Sequence, residues 1–214
     1  MEKLMTWLVF AFINSLLVIP NAFSCNKVCT YSTWKWHVQG KRTDEHKNIT
    51  KQCNELTIEE KDPNSNCTVC QEDQKTITIK GLPRFKICKF YEKIIIKALK
   101  NVIKKGFPIN TIIGYRVGKS KGGIDEYGYR KEFSFHSFGT AIDINPELNG
   151  LYYNCDIPNP KCKLIMGGAW DPQRPGTITE EGIVYRELTS IGFKWGGSIA
   201  GKQKDFMHFS LVGY

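Results

Sequence analysis

The chain holds four histidines, and two of them stand beside carboxylates in clusters that could do chemistry. In Ser134-Phe-His136-Ser-Phe-Gly139-Thr-Ala141-Ile-Asp143-Ile-Asn145, an imidazole and a carboxylate lie seven positions apart. Near the C-terminus, Asp205-Phe-Met-His208-Phe adds one more of each. Two imidazoles and one carboxylate make the donor set of a catalytic zinc, which keeps one position open for water, and the remaining carboxylate can act as base. His136, Asp143 and His208 are therefore candidate Zn²⁺ ligands and Asp205 a candidate general base. Arg116, at the exit of the apolar run from Thr111, needs a partner if buried. It is a candidate anion or oxyanion clamp, with a structural salt bridge as the alternative.

These residues need elements to position them. Alternation from Phe138 through Ile144 predicts a short strand with His136 at its entrance and Asp143 near its far end. Apolar residues at Phe90, Ile94, Ile95, Leu99, Val102 and Ile103 predict a helix over 88–105, ended by Gly106 and Pro108. Thr179 to Gly192 predicts a second helix, capped by Thr179 with acids in its first turn. Short strands are expected at 76–79, 111–117, 193–195 and 206–211, and one at Trp34–Val38. The glycine-rich, charged run 118–132 reads as a flexible loop that could act as a lid. The Asn/Pro-rich stretch 145–175 reads as irregular. Short strands and two helices without βαβ repetition indicate an α+β fold.

The first residues have another purpose. A charged start, an apolar run from Leu4 to Ile19 and small residues before Cys25 read as a signal peptide over 1–24, cleaved after Ser24; the rival is an uncleaved anchor. All eight cysteines then lie in an oxidising compartment, which implies four disulfides. Cys155 and Cys162 bracket a proline-rich loop and are expected to pair. The other six, between Cys25 and Cys88, leave their pairing open, and a structural zinc knot is the alternative. Residues 25–84 are thus a cysteine-stapled N-terminal region, ahead of a domain over 85–214. Asn48 and Asn66 head glycosylation sequons, meaningful only in a eukaryotic host. The formal charge of +9 suits an anionic partner such as a cell wall or membrane surface. Export speaks against nucleic acid, and cleavage of the signal leaves no stable membrane insertion. The protein is expected to be a secreted, periplasmic or wall-associated monomer.

With both clusters in place, the chain resembles the M15 zinc peptidases. The family pattern S-x-H-x-x-G-x-A-x-D matches Ser134, His136, Gly139, Ala141 and Asp143; G-[FW]-x-W-G-G matches Gly192 to Gly197; D-x-x-H-F matches Asp205 to Phe209; G-Y-R matches Gly114-Tyr115-Arg116. The resemblance covers roughly 85–212, with Ile113 and Ser210 standing where members often carry a serine and an acid. It implies a small antiparallel sheet flanked by helices, as in D,D-peptidases and hedgehog signalling domains. It also implies Zn²⁺ on His136, Asp143 and His208, Asp205 as base, Arg116 on the oxyanion, and Trp195, Tyr115 and Ser134 lining a substrate groove; the alternatives are a turn or capping carboxylate for Asp205 and core packing for Trp195 and Tyr115. The implied substrate is the peptidoglycan stem peptide, cut by an L-Ala-D-Glu endopeptidase first and a D,D-carboxypeptidase second. The alternative is a non-catalytic, zinc-containing binding module of the same fold.

Overall fold

The computed structural model describes residues 25–159 and 161–213; the expected signal peptide lies outside them. The chain opens with a long hairpin, β1 (Val28–His37) and β2 (Arg42–Gln52), followed by a short one, β3 (Gln74–Ile77) and β4 (Phe85–Cys88). Helix α1 (Glu92–Lys104) leads to β5 (Ile112–Ile113), the hairpin β6 (Lys119–Ile124) and β7 (Arg130–Phe133), and then β8 (Ala141–Ile144). Strands β9 (Leu151–Tyr153) and β10 (Lys163–Met166) precede helix α2 (Ile183–Ser190), β11 (Lys194–Trp195), β12 (Gln203–Asp205) and β13 (His208–Ser210). Among the described residues the result is α+β, with several small sheets and two helices.

The sheet that matters runs β11-β13-β8-β5, all antiparallel. The α1 stripe of Ile95, Ala98, Leu99 and Val102 is buried in one core with Ile142 and Ile144 of β8, Phe209 of β13, and Val184 and Leu188 of α2. Fully burying each large aliphatic or aromatic chain contributes about 1.5–3 kcal/mol, so this core holds the sheet rigid. The helix begins later than its periodicity suggests, because Lys89–Tyr91 form a 3₁₀ turn before Glu92. The second helix is also shorter: Thr179 to Gly182 form a turn, and Gly182, not Thr179, is the N-cap.

A second core joins the cysteine-stapled region to the rest. Cys29, Tyr31, Leu56, Cys67, Val69 and Cys70 pack with Val117 and Phe138, so the N-terminal region shares its interior with the segments on either side of β6 and β7. The disulfides are Cys25–Cys53, Cys29–Cys70, Cys67–Cys88 and Cys155–Cys162, leaving no free cysteine. A zinc knot is thereby replaced by covalent staples.

Three expected segments differ. The run 118–132 is not a flexible loop but the β6/β7 hairpin, which continues the β2-β1 sheet through a parallel contact at Lys35 and Lys119. Its glycines allow the irregular register between Lys119 and Ile124 without ending the pairing. The irregular stretch 145–175 contains the β9/β10 hairpin, closed beyond its strand ends by Cys155–Cys162. The predicted strand 138–144 is two elements: a 3₁₀ turn over Phe135–Phe138 and β8 from Ala141. Gly139 separates them with φ +66°, a conformation that an L side chain rarely adopts.

Candidate metal centre

His136 sits on the 3₁₀ turn, not at a strand entrance, and the turn is clamped from both sides. Ser137 N–H donates to Ser134 O, Arg116 N–H donates to His136 O, and Cys88 N–H donates to Gly139 O at 2.9 Å. A side chain at Gly139 would place its Cβ 2.0 Å from Gln74 Oε1 and 2.5 Å from Cys88 N. The stapled N-terminal region therefore presses directly on the turn that carries His136.

Asp143 and His208 are register partners on β8 and β13. That pairing brings Asp143 Oδ1 to 2.9 Å from His208 Nδ1 and 3.0 Å from His136 Nε2. The two imidazole nitrogens are 3.3 Å apart. All three side chains are buried, and their donor atoms form a compact cluster. Burial keeps the His136 imidazole below its usual pKa, favouring the neutral ring. Its Nδ1–H donates to Gly114 O at 2.8 Å, so Nε2 presents its lone pair to the cluster. Burial would raise the Asp143 carboxyl, but the neighbouring His136 and His208 imidazoles hold it well below the usual range. The cluster is thus two ring nitrogens and one carboxylate oxygen at mutual distances of 2.9–3.3 Å. A tetrahedral zinc with bonds of about 2.0–2.1 Å spaces its donors by roughly 3.3 Å. The residues present fit that ion.

Asp205 ends β12, three residues before His208, and its N–H donates to Gly196 O at 3.1 Å. Its Oδ1 is buried without a protein hydrogen-bond partner. Burial, helped by the Asp143 charge, pushes its carboxyl up to about 7 against the opposing pull of His208, Arg116 and the Met207 amide. A buried carboxylate oxygen with no partner beside an N,N,O cluster has the character of a proton-transfer group. Arg116 is half-exposed and reaches Asp143 Oδ2 at 3.4 Å, on the carboxylate oxygen that the histidines leave free.

A family model described as D-alanyl-D-alanine carboxypeptidase, of the M15 peptidases, matches residues 128–211. The match supports an M15-family peptidase over these residues. The matched span includes His136, Asp143, Asp205 and His208, while Arg116 and the stapled N-terminal region lie outside it. No curated protein and no solved structure matches the chain.

Trp195, Tyr115 and Ser134 have contacts of their own. Trp195 is buried, donates its indole N–H to Phe206 O at 2.8 Å, and packs against Phe206, Phe209 and Tyr185. It backs the Asp205–His208 segment from the core side. Tyr115 donates its hydroxyl to Val69 O at 2.6 Å, tying the N-terminal region to the segment that carries Arg116. Ser134 is buried at the start of the His136 turn. The Gly114 carbonyl, which orients His136, had a signal in the sequence only as the glycine of G-Y-R. Its lack of a side chain is needed because a Cβ would meet Lys86 O at 2.0 Å. Gln74 and Cys88 had no signal at all.

Proposed function

We propose that the protein is a secreted, zinc-dependent peptidase that hydrolyses peptide bonds in peptidoglycan stem peptides. The observation that carries this reading is the buried His136–Asp143–His208 cluster with the unpartnered Asp205 carboxylate oxygen beside it. The match to a D-alanyl-D-alanine carboxypeptidase family supports the substrate class. The disulfides suit an oxidising compartment. No helix among the described residues is long and apolar enough to cross a membrane.

His136, Asp143 and His208 would hold the metal, which when bound lowers the pKa of a water toward about 7 and polarises a carbonyl. Asp205 takes the proton as water attacks the scissile carbonyl and returns it to the leaving amine. The raised affinity of Asp205 for a proton, from burial, suits a group that must both accept and release one near neutral pH. Arg116 offers its half-exposed guanidinium to the oxygen that gains charge, in exchange for part of its contact with Asp143 Oδ2. Trp195 ties the turn between Asp205 and His208 to the core through Phe206 O, so that base and ligand keep their spacing.

The test is incubation of the mature, oxidised protein with purified peptidoglycan and mass spectrometry of the soluble products. Chelator-sensitive release of stem peptides that begin at D-Glu, with L-Ala left on the glycan, identifies the endopeptidase; release of D-Ala alone identifies a D,D-carboxypeptidase. No release from several wall types by protein with one bound zinc turns the assignment to a binding module.

A further inference from the structure

A cleft of about 860 Å³ opens between residues 58–66 of the stapled region and the segment from Lys121 to Phe138. Its apolar floor is the half-buried Phe133 and Phe135 over the buried Phe138, with the Lys121 ammonium 4.0 Å from the Phe135 ring centroid; Phe135 and Phe138 share the 3₁₀ turn of His136, whose own side chain does not line the cleft. Its rim carries Asn64, Ser65 and Asn66, which offer hydrogen-bond donors and acceptors together. The charges nearly cancel: Glu59, Asp62 and Glu132 stand against Lys61 and Lys121. In a chain of formal charge +9, that balance makes the cleft a poor seat for an anion. Aromatic faces ringed by amides, a hydroxyl and carboxylates suit a neutral ligand with alternating C–H faces and hydroxyl or acetamido groups. The volume lies within the range of about 300–1,000 Å³ usual for ligand sites.

We propose that this cleft is a glycan subsite, holding an N-acetylated amino-sugar unit of the wall polymer while its stem peptide enters the metal centre. The proposal rests on the wall-peptidase reading for its biological ligand, and on the cleft alone for its chemistry. Residues 58–66 lie outside the matched span 128–211 while Glu132, Phe133, Phe135 and Phe138 lie within it, so only the rim of the subsite comes from beyond the matched region.

The probe is a β-1,4-linked N-acetylglucosamine tetramer, titrated into the isotope-labelled full mature protein and followed by NMR. The expected result is saturable shifts confined to residues 58–66 and 132–138. Asn64→Ala and Glu132→Ala should each weaken the interaction by roughly fivefold or more, the loss of one hydrogen bond to a neutral ligand. On intact peptidoglycan the same variants should raise KM more than they do on free stem peptide. Shifts at the cleft in a protein that hydrolyses no wall polymer would uphold the subsite and remove the peptidase reading. Hydrolysis without saccharide shifts at the cleft would remove the subsite and leave the peptidase standing. Saccharide shifts elsewhere, or free stem peptide displacing the tetramer from the cleft, would also overturn it.

Discussion

Asp143 and His208 are separated by 65 residues in the chain and face each other across β8 and β13, Oδ1 to Nδ1 at 2.9 Å. A carboxylate so placed between two imidazoles is the anchor of the cluster. Its Oδ1 meets both rings and its Oδ2 meets Arg116.

Removing one ligand should therefore empty the site without unfolding the sheet. His208→Ala is expected to lower zinc affinity at least roughly 100-fold, beyond the effect of losing an outer partner. Metal content by mass spectrometry should fall from about one zinc per chain to none, with the circular dichroism spectrum kept. Full zinc occupancy in the variant would exclude His208 as a ligand.

Asp205→Asn should keep the metal and lose turnover. General-base loss predicts a fall in kcat of about 10²–10⁴-fold with zinc content unchanged. Wild-type activity should also drop as pH falls and Asp205 gains its proton, and the variant's residual rate should lack that limb. An unaltered kcat in Asp205→Asn contradicts the role.

The same carboxyl has a thermodynamic consequence in the chelated protein. Its folded value, about 7, lies above the unfolded value of about 3.9. It contributes stability that is fully present below the unfolded value and is lost as pH rises through the folded one. Asp205→Asn, which cannot ionise, should flatten that decline between about pH 4 and 7. Thermal melts of both chelated proteins across this window test the point; parallel curves would refute it.

Gly139→Ala should be severe although no site atom is touched. The residue has φ +66°, and the added Cβ would meet Gln74 Oε1 at 2.0 Å and Cys88 N at 2.5 Å. Backbone strain alone costs about 1–3 kcal/mol, and the backbone clash with Cys88 must move the His136 turn or β4. Both Tm and zinc affinity should fall; a normal melt with normal metal binding would show that the turn is not clamped.

Selective loss of Cys67–Cys88, by a double Cys→Ser variant, should destabilise the protein by about 3 kcal/mol on loop entropy alone. Cys88 N–H also holds Gly139 O, so the variant should release zinc at lower chelator concentrations than wild type. Equal chelator sensitivity would separate the disulfide from the site.

Much of the metal centre was legible because its donors are chemically rare and locally spaced. His136 and Asp143 sit in one short run, and Asp205 and His208 in another. The apolar period of α1 likewise showed its buried face, since a helix repeats its contacts every few residues. The lid reading of 118–132 failed because glycine and charge describe a chain's local freedom, and β6 and β7 are held by each other and by β1. Trp195 and Tyr115 read as groove residues from their motif, while their ring and hydroxyl partners come from Phe206 and Val69. No local pattern announces such partners.

By itself, then, the sequence determined the donor types, a further carboxylate near them, the helical stripes and an even set of cysteines. Those follow from side-chain chemistry and short-range period. Only the tertiary structure decided how six cysteines between Cys25 and Cys88 pair, that Asp143 faces His208, and that Gln74 and Cys88 press on Gly139. Those are contacts between residues far apart in the chain, chosen by burial and hydrogen-bond satisfaction across the whole molecule.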